Sequence, residues 1–171
     1  MSEKIVKAFI AIFGGLTKTT LGKEILVFLI SVSPIMELRG GLLAASLLGL
    51  DPLPSYILSV IGNILPIPFI LWFMGKIIKW MREKNKLKKI VNWVDKKVEK
   101  NKDKIEKYGF TGLVLLVAIP LPGTGAWTAC LVAAVLDLDK KKSFISTVIG
   151  VLLASIIMMI LSFGLLRGIT N

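Results

Sequence analysis

From Ile25 to Leu50 the chain reads ILVFLISVSPIMELRGGLLAASLLGL, an apolar run interrupted in its middle by Pro34, Glu37, Arg39, Gly40 and Gly41. A second apolar run, Phe110 to Leu136, is interrupted at the corresponding place by IPLPGTGAW. Two further runs, Tyr56–Gly75 and Phe144–Leu166, carry no charge and no such break. About 20 residues of helix, rising 1.5 Å each, cover the roughly 30 Å of bilayer hydrocarbon. The unbroken runs therefore predict membrane-spanning helices, the first kinked at Pro66 and Pro68. The interrupted runs predict something else. Their arms, Ile25–Ser33 and Gly41–Leu50 in the first, have about ten residues and reach only about 15 Å as helix. Two such arms joined at Pro34–Gly40 enter the membrane, turn at mid-depth and leave by the same face, and Ile119–Gly125 makes the same turn in the second run. Re-entrant backbone is tolerated only where protein or a water-filled cavity satisfies its free amides and carbonyls. Paired interrupted segments of this kind point to a transporter's binding site.

The two halves are a repeat. A shift of 88 positions (122 − 34) sets Pro34 on Pro122, Leu43 on Leu131, Ala45 on Ala133, Leu50-Asp51 on Leu138-Asp139 and Ser55 on Ser143. Ile57 then falls on Ile145, and Val60-Ile61-Gly62 on Val148-Ile149-Gly150, without a gap. Internal periodicity of this kind is weighed before any single element is assigned, with chance matching among Leu, Ile and Val as the alternative. Each half has an interrupted segment, a short polar link (Asp51–Ser55 or Asp137–Ser143) and an unbroken segment.

Charge adds orientation. Of the 22 basic residues thirteen lie between Lys76 and Lys107, against five of the 11 acidic ones, a local excess of eight in a chain of net charge +11. The second link carries Lys140, Lys141 and Lys142, whereas the first has no Lys or Arg. Re-entrant hairpins place the linker and Lys140–Lys142 together on the cytoplasmic face and Asp51–Ser55 outside, as the positive-inside rule asks, and they invert one half relative to the other. Lys4, Lys7, Lys18 and Lys23 fall outside in this scheme. Ile5 to Leu16, too short to cross, suits an amphipathic helix in the interface. The linker predicts a helix with a narrow apolar stripe of Leu87, Val91, Val94, Val98 and Ile105. It reads as a solvated connector that touches anionic lipid rather than nucleic acid, because no aromatic platform or nucleic-acid module accompanies its lysines.

Composition closes other routes. The chain has 171 residues, 54% hydrophobic, with mean hydropathy +0.76 and no histidine. His-based acid–base chemistry, His-ligated metals and Ser-His triads are thereby excluded. No P-loop, GxSxG or HExxH motif is present. Cys130 is the single cysteine and reads as a small buried hydrophobe. No catalytic residue, metal or cofactor is expected. No cleavable signal peptide is expected either, since Lys18 and Lys23 follow the apolar Ala8–Leu16 where a small-residue cleavage site would stand.

The candidate substrate and coupling residues follow from the turns. Ionisable groups inside a membrane segment are functional candidates. Glu37 binds and releases a proton or cation, and Arg39 holds an anionic head group through its guanidinium fork; a structural ion pair is the alternative. Pro34, Gly40 and Gly41 shape the first turn. Pro120, Pro122, Gly123, Thr124 and Gly125 shape the second, which has no charge but exposes backbone. The helices starting after Gly40 and near Ala126 direct their N-termini at mid-membrane, where a phosphate or carboxylate is favoured. Asn63, Trp127 and Thr128 are supporting candidates, with packing or capping as the alternative for each.

The runs SPIMELRGGLLAASLLGL, NILPIPF and AIPLPGTGAW resemble the small multi-drug export membrane proteins, a family similar to the DedA/VTT superfamily. The likeness covers about Ile25 to Leu166. It implies two re-entrant hairpins facing each other in an inverted repeat, and proton- or cation-coupled movement of lipids or amphiphiles. Glu37 and Arg39 match the acid and base of the first hairpin. Departing from the DedA pattern, the second turn here carries no arginine.

The expectation is therefore an all-α integral membrane protein, a single domain over 1–171. It comprises an N-terminal amphipathic segment (1–24), repeat 1 (25–75), the basic linker (76–108) and repeat 2 (109–167), each repeat a re-entrant hairpin plus a transmembrane helix. The expected function is inner-membrane transport of an amphiphilic or anionic-lipid-like substrate, without enzymatic activity. Membrane lipids and a second copy of the chain are the expected partners, with no nucleic acid. A non-transporting scaffold and a small-ion channel are the rival readings.

Overall fold

The computed structural model describes residues 2–84, 86–121 and 123–165; Pro122 and the C-terminal end of repeat 2 lie outside them. The described residues form helices and no strand. In chain order these are α1 (Ser2–Ile12), α2 (Thr20–Val32), α3 (Glu37–Leu47), α4 (Pro52–Ile64), the short α5 (Pro66–Phe69), α6 (Gly75–Glu83), α7 (Lys88–Ala118), α8 (Ala126–Val135) and α9 (Lys140–Met159). Wider π-type turns connect α5 to α6 (Ile70–Met74) and continue α9 (Ile160–Leu165).

Two helical runs, Pro52–Glu83 and Lys140–Gly164, are long and apolar enough to cross a membrane. Their surfaces are inside-out for water. Ile57, Ile61, Phe69, Trp72, Ile149 and Leu153 are exposed, while Ser55, Ser59, Asn63, Ser146, Thr147 and Ser155 are buried. Apolar side chains outside and hydroxyls inside are what a hydrocarbon solvent selects, because lipid rewards no apolar burial and leaves polar groups to find one another. The first run extends beyond the expected end at Gly75, to Glu83. Its interruption falls at Leu65–Pro66 and in the π-type turn after Pro68, where two missing N–H groups break the hydrogen-bond ladder.

The chain divides into two compact units, one comprising the residues up to Leu65 with those from Val151 onward, the other Pro66–Gly150. In the first, α2 and α3 run antiparallel. Lys23 Nζ donates to Leu48 O at one end (3.0 Å), and a Cβ on Gly40 would meet Ile30 at the other. Leu26, Val27, Ile30, Ala44 and Ala45 form the core of this hairpin, and Val6 of α1 is fully buried against it. The N-terminal helix thus packs into the protein by one side instead of only lying in an interface.

α4 joins the hairpin through small residues. A Cβ on Gly41 would stand 1.8 Å from Ser31 Oγ and 2.9 Å from Ser59 Oγ, and one on Gly62 would stand 3.0 Å from Phe28 O. Only a missing side chain lets these three backbones approach so closely, and close approach is the main source of helix affinity in lipid. Gly40 and Gly41 therefore correct the sequence reading. They lie inside α3 and pack it; the break is Ser33–Met36, one turn earlier.

In the second unit α7 bends at Gly109 (φ 51°, ψ −121°), a backbone conformation that glycine alone adopts readily, at the expected boundary of linker and repeat. Val91, Val94, Val98 and Ile105 are buried as expected, whereas Leu87 is 60% exposed because it starts α7 with a left-handed φ of 51°. The linker is two helices, α6 and α7, tied by an Arg82–Asp95 ion pair. The segment after Gly109 then packs on α8, which also contacts the Ile70–Met74 turn.

Candidate functional site: the two interrupted turns

The first turn is organised by a serine. Ser33 Oγ donates to Ile30 O (2.8 Å) and accepts from Met36 N (3.3 Å), so one hydroxyl closes α2 and opens α3. Pro34 is exposed on the outside of the turn. Glu37 follows as the first residue of α3, buried, with φ +53°. A glutamate in the left-handed region costs about 1–2 kcal/mol and persists only where its surroundings hold it, a pattern that clusters at functional sites. Its carboxylate sits at a helix N-terminus, whose partial positive charge favours it, and it acts electrostatically on the half-buried guanidinium of Arg39.

α4 brings more polarity to the same unit. A Cβ on Gly41 would stand 2.9 Å from Ser59 Oγ; Glu37 lies one turn before Gly41 on α3, and Asn63 one turn after Ser59 on α4. Asn63 and Ser59 are both buried, and neither Asn63 Oδ1 nor Ser59 Oγ has a hydrogen-bond partner among the described residues. Ser31 Oγ donates to Val27 O (2.8 Å), which leaves its lone pairs facing the Gly41 seam. A buried oxygen without a donor costs about 1–3 kcal/mol, so these two on α4 ask for a proton, a water or a cation. Sequence reasoning named Glu37, Arg39 and Asn63. It missed Ser31, Ser33 and Ser59, although Ser55, Ser59 and Asn63 recur at the four-residue spacing of one helix face.

The second turn is built differently. Gly123 (φ +80°) and Gly125 (φ +133°) carry the reversal. Thr124 Oγ1 donates to Leu121 O (2.9 Å), and Thr128 Oγ1 donates to Gly123 O (3.2 Å). Both hydroxyls thus close the turn onto itself. Pro120 and Trp127 are half-buried, and Pro122 lies outside the described residues. The turn has no charge of its own, but the linker supplies one: Lys97 Nζ donates to Gly123 O at 2.6 Å. Nothing in the residue pattern pointed to this contact, since 26 residues separate the partners. Cys130 is buried as expected, its Sγ 3.7 Å from Thr147 Oγ1.

The site residues thus fall into two sets. Pro34, Glu37, Arg39, Gly40, Gly41 and Asn63 belong to the first unit; Pro120, Gly123, Thr124, Gly125, Trp127 and Thr128 belong to the second. Among the described residues, no group of three or more Cys, Asp or Glu is placed to hold a metal ion.

The family described as "Putative small multi-drug export protein" matches residues 37–157, well over half of the chain. The chain belongs to this family. No curated protein and no solved structure matches it. The matched range begins at Glu37 and takes in Arg39, Asn63, the linker and the whole second turn. Membership and the two apolar helical runs together make this an integral membrane protein of the small export type.

Proposed function

We propose that the protein transports an amphiphilic or anionic-lipid-like substrate across the bacterial or archaeal inner membrane, coupled to a proton or small cation through Glu37. The observation that carries this reading is Glu37 itself, a buried carboxylate held at positive φ on the tip of an antiparallel hairpin and acting electrostatically on Arg39, in a unit where α4 buries two oxygens without a hydrogen-bond partner among the described residues. A group that takes up a proton or cation there is neutralised, and one that gives it up restores the electrostatic attraction to Arg39. Alternation between these two states is what coupling requires. Arg39 is the head-group ligand, because a guanidinium binds phosphate or carboxylate with two parallel hydrogen bonds.

In this reading each hairpin is re-entrant. The arms of the first, 13 and 11 residues, reach about 20 and 16 Å, near half a bilayer and short of a crossing. Several features support an inverted repeat of the DedA kind. α4 and α9 begin at Pro52 and Lys140, positions that the 88-residue shift aligns. The aligned Gly62 and Gly150 both meet the preceding arm of their own hairpin, Phe28 and Ser31 in one case and Val114 and Val117 in the other. The linker and Lys140–Lys142 face the cytoplasm, the chain is multi-pass and homodimeric, and it has no enzymatic activity.

The test is flux in proteoliposomes with a fluorescent short-chain phosphatidylglycerol, under an imposed pH or sodium gradient. Glu37→Gln and Arg39→Ala should each bring flux to the protein-free level while the protein stays monodisperse at an unchanged melting temperature. A scaffold would lose stability or assembly instead, and a channel would give conductance that no substrate saturates. Cysteines introduced at 51, 108 and 140 fix the topology. Re-entry requires 108 and 140 to be labelled from one side and 51 from the other.

A further inference from the structure

The second unit contains a cavity of about 440 Å³ that the transport reading does not use. Its walls come from α6, from the C-terminal end of α8 and from the start of α9. The backbones meet there because Gly75 has no side chain: a Cβ would stand 2.6 Å from Ala134 O. Lys76, Lys79 and Arg82 line one wall at the three-residue spacing of a helix face, and Lys140 lines another. Asp137 is the single acid, so the lining carries a clear positive excess. Arg82 pairs with Asp95, but Lys76, Lys79 and Lys140 have no hydrogen bond or ion pair with other described residues.

The cavity lies where the helical run Pro52–Glu83 changes from apolar to basic. Leu71 and the exposed Trp72 form its apolar edge, and the lysines begin one turn later. A tryptophan at that boundary marks the level of lipid head groups. Free cations around a recess with an apolar lip fit a ligand with an anionic head and a hydrocarbon tail. Basic pockets between membrane helices bind phospholipid head groups on these terms. We infer that this cavity is a resident binding site for the phosphate head group of an anionic membrane lipid, distinct from the Glu37 turn. A phosphate is small enough to enter it, and the acyl chains lie against the exposed Trp72.

Native mass spectrometry of the full chain, purified in detergent and exchanged with equimolar phosphatidylglycerol and phosphatidylcholine, tests the site. One lysine near an anionic lipid is worth about a fivefold preference. The double variant Lys76→Gln/Lys140→Gln should therefore lower the phosphatidylglycerol preference about 25-fold, while Lys76→Arg/Lys140→Arg keeps it. A control of equal charge loss on the linker, Lys96→Gln/Lys100→Gln, removes cations that line neither cavity wall and meet lipid only at a bilayer surface, which detergent does not provide, and should change it less than twofold. Equal loss in the control, or no loss in the cavity variant, overturns the site. So does competition by millimolar inorganic phosphate, which would make it an ion pocket rather than a lipid site. None of these readouts depends on flux, so the site stands or falls separately from the transport reading.

Discussion

The two turns stand 88 positions apart in the sequence and make the same chain reversal with opposite chemistry. In the second, Gly125 stands where Glu37 stands in the first, and it takes a positive φ as glycine does without strain. Thr147 aligns with Ser59 but lies near Cys130, and Val151 aligns with Asn63 and makes no polar demand. Ala129 replaces Gly41, so no close serine seam forms there. The second turn is neutral, closed by its own threonines and braced by Lys97. The first keeps a buried carboxylate and a strained backbone, and α4 in the same unit buries two oxygens without a partner among the described residues. The fold closes one hairpin without those liabilities, so their presence in the other is not a cost of the architecture. They are the features to break.

The sharpest test makes the first turn resemble the second. Glu37→Gly removes the carboxylate and the left-handed strain together. Flux should fall to the protein-free level while stability rises by about 1 kcal/mol, measured by thermal unfolding in detergent. A fall in stability would make Glu37 a structural residue and end the comparison. The next largest effect is at the seam. Gly41→Ala drives a methyl onto Ser31 Oγ and should cost about 1–3 kcal/mol, partly restored by Ser31→Gly in the same chain. The reverse exchange in the other half, Ala129→Gly, should cost only about 0.5–1 kcal/mol, because it changes helix propensity and little else. The smallest effect concerns the brace. Lys97→Met should speed amide hydrogen exchange in 119–125 severalfold and leave 33–37 unchanged; equal rates in wild type and variant would show that Lys97 does not hold the second turn.

Much of this was legible in the chain. The apolar runs, the 88-residue shift and the break before each short helix all come from spacing and hydropathy, which respond only to local geometry and to the solvent around the helix. Gly109 falls at the linker boundary that the charge pattern drew. The buried stripe of α7 was readable at Val91, Val94, Val98 and Ile105 and failed at Leu87, where a left-handed start turns the side chain outward. The glycines were the harder case. Gly40 and Gly41 look like breakers after a proline, yet they lie inside a helix, because a glycine in lipid is as useful for close packing as for turning.

The sequence by itself determined that this is a helical membrane protein with two interrupted segments, and which ionisable residues lie inside them. Hydrocarbon sets those terms alone: it excludes open backbone and isolated charge, so period and composition suffice. Only the tertiary structure decided that Ser59 of α4 closes on Gly41, that Lys97 reaches Gly123, and that cations of α6 and α9 line one cavity of the second unit. Each of those contacts joins residues far apart in the chain, and which ones meet depends on how closely neighbouring backbones can pack.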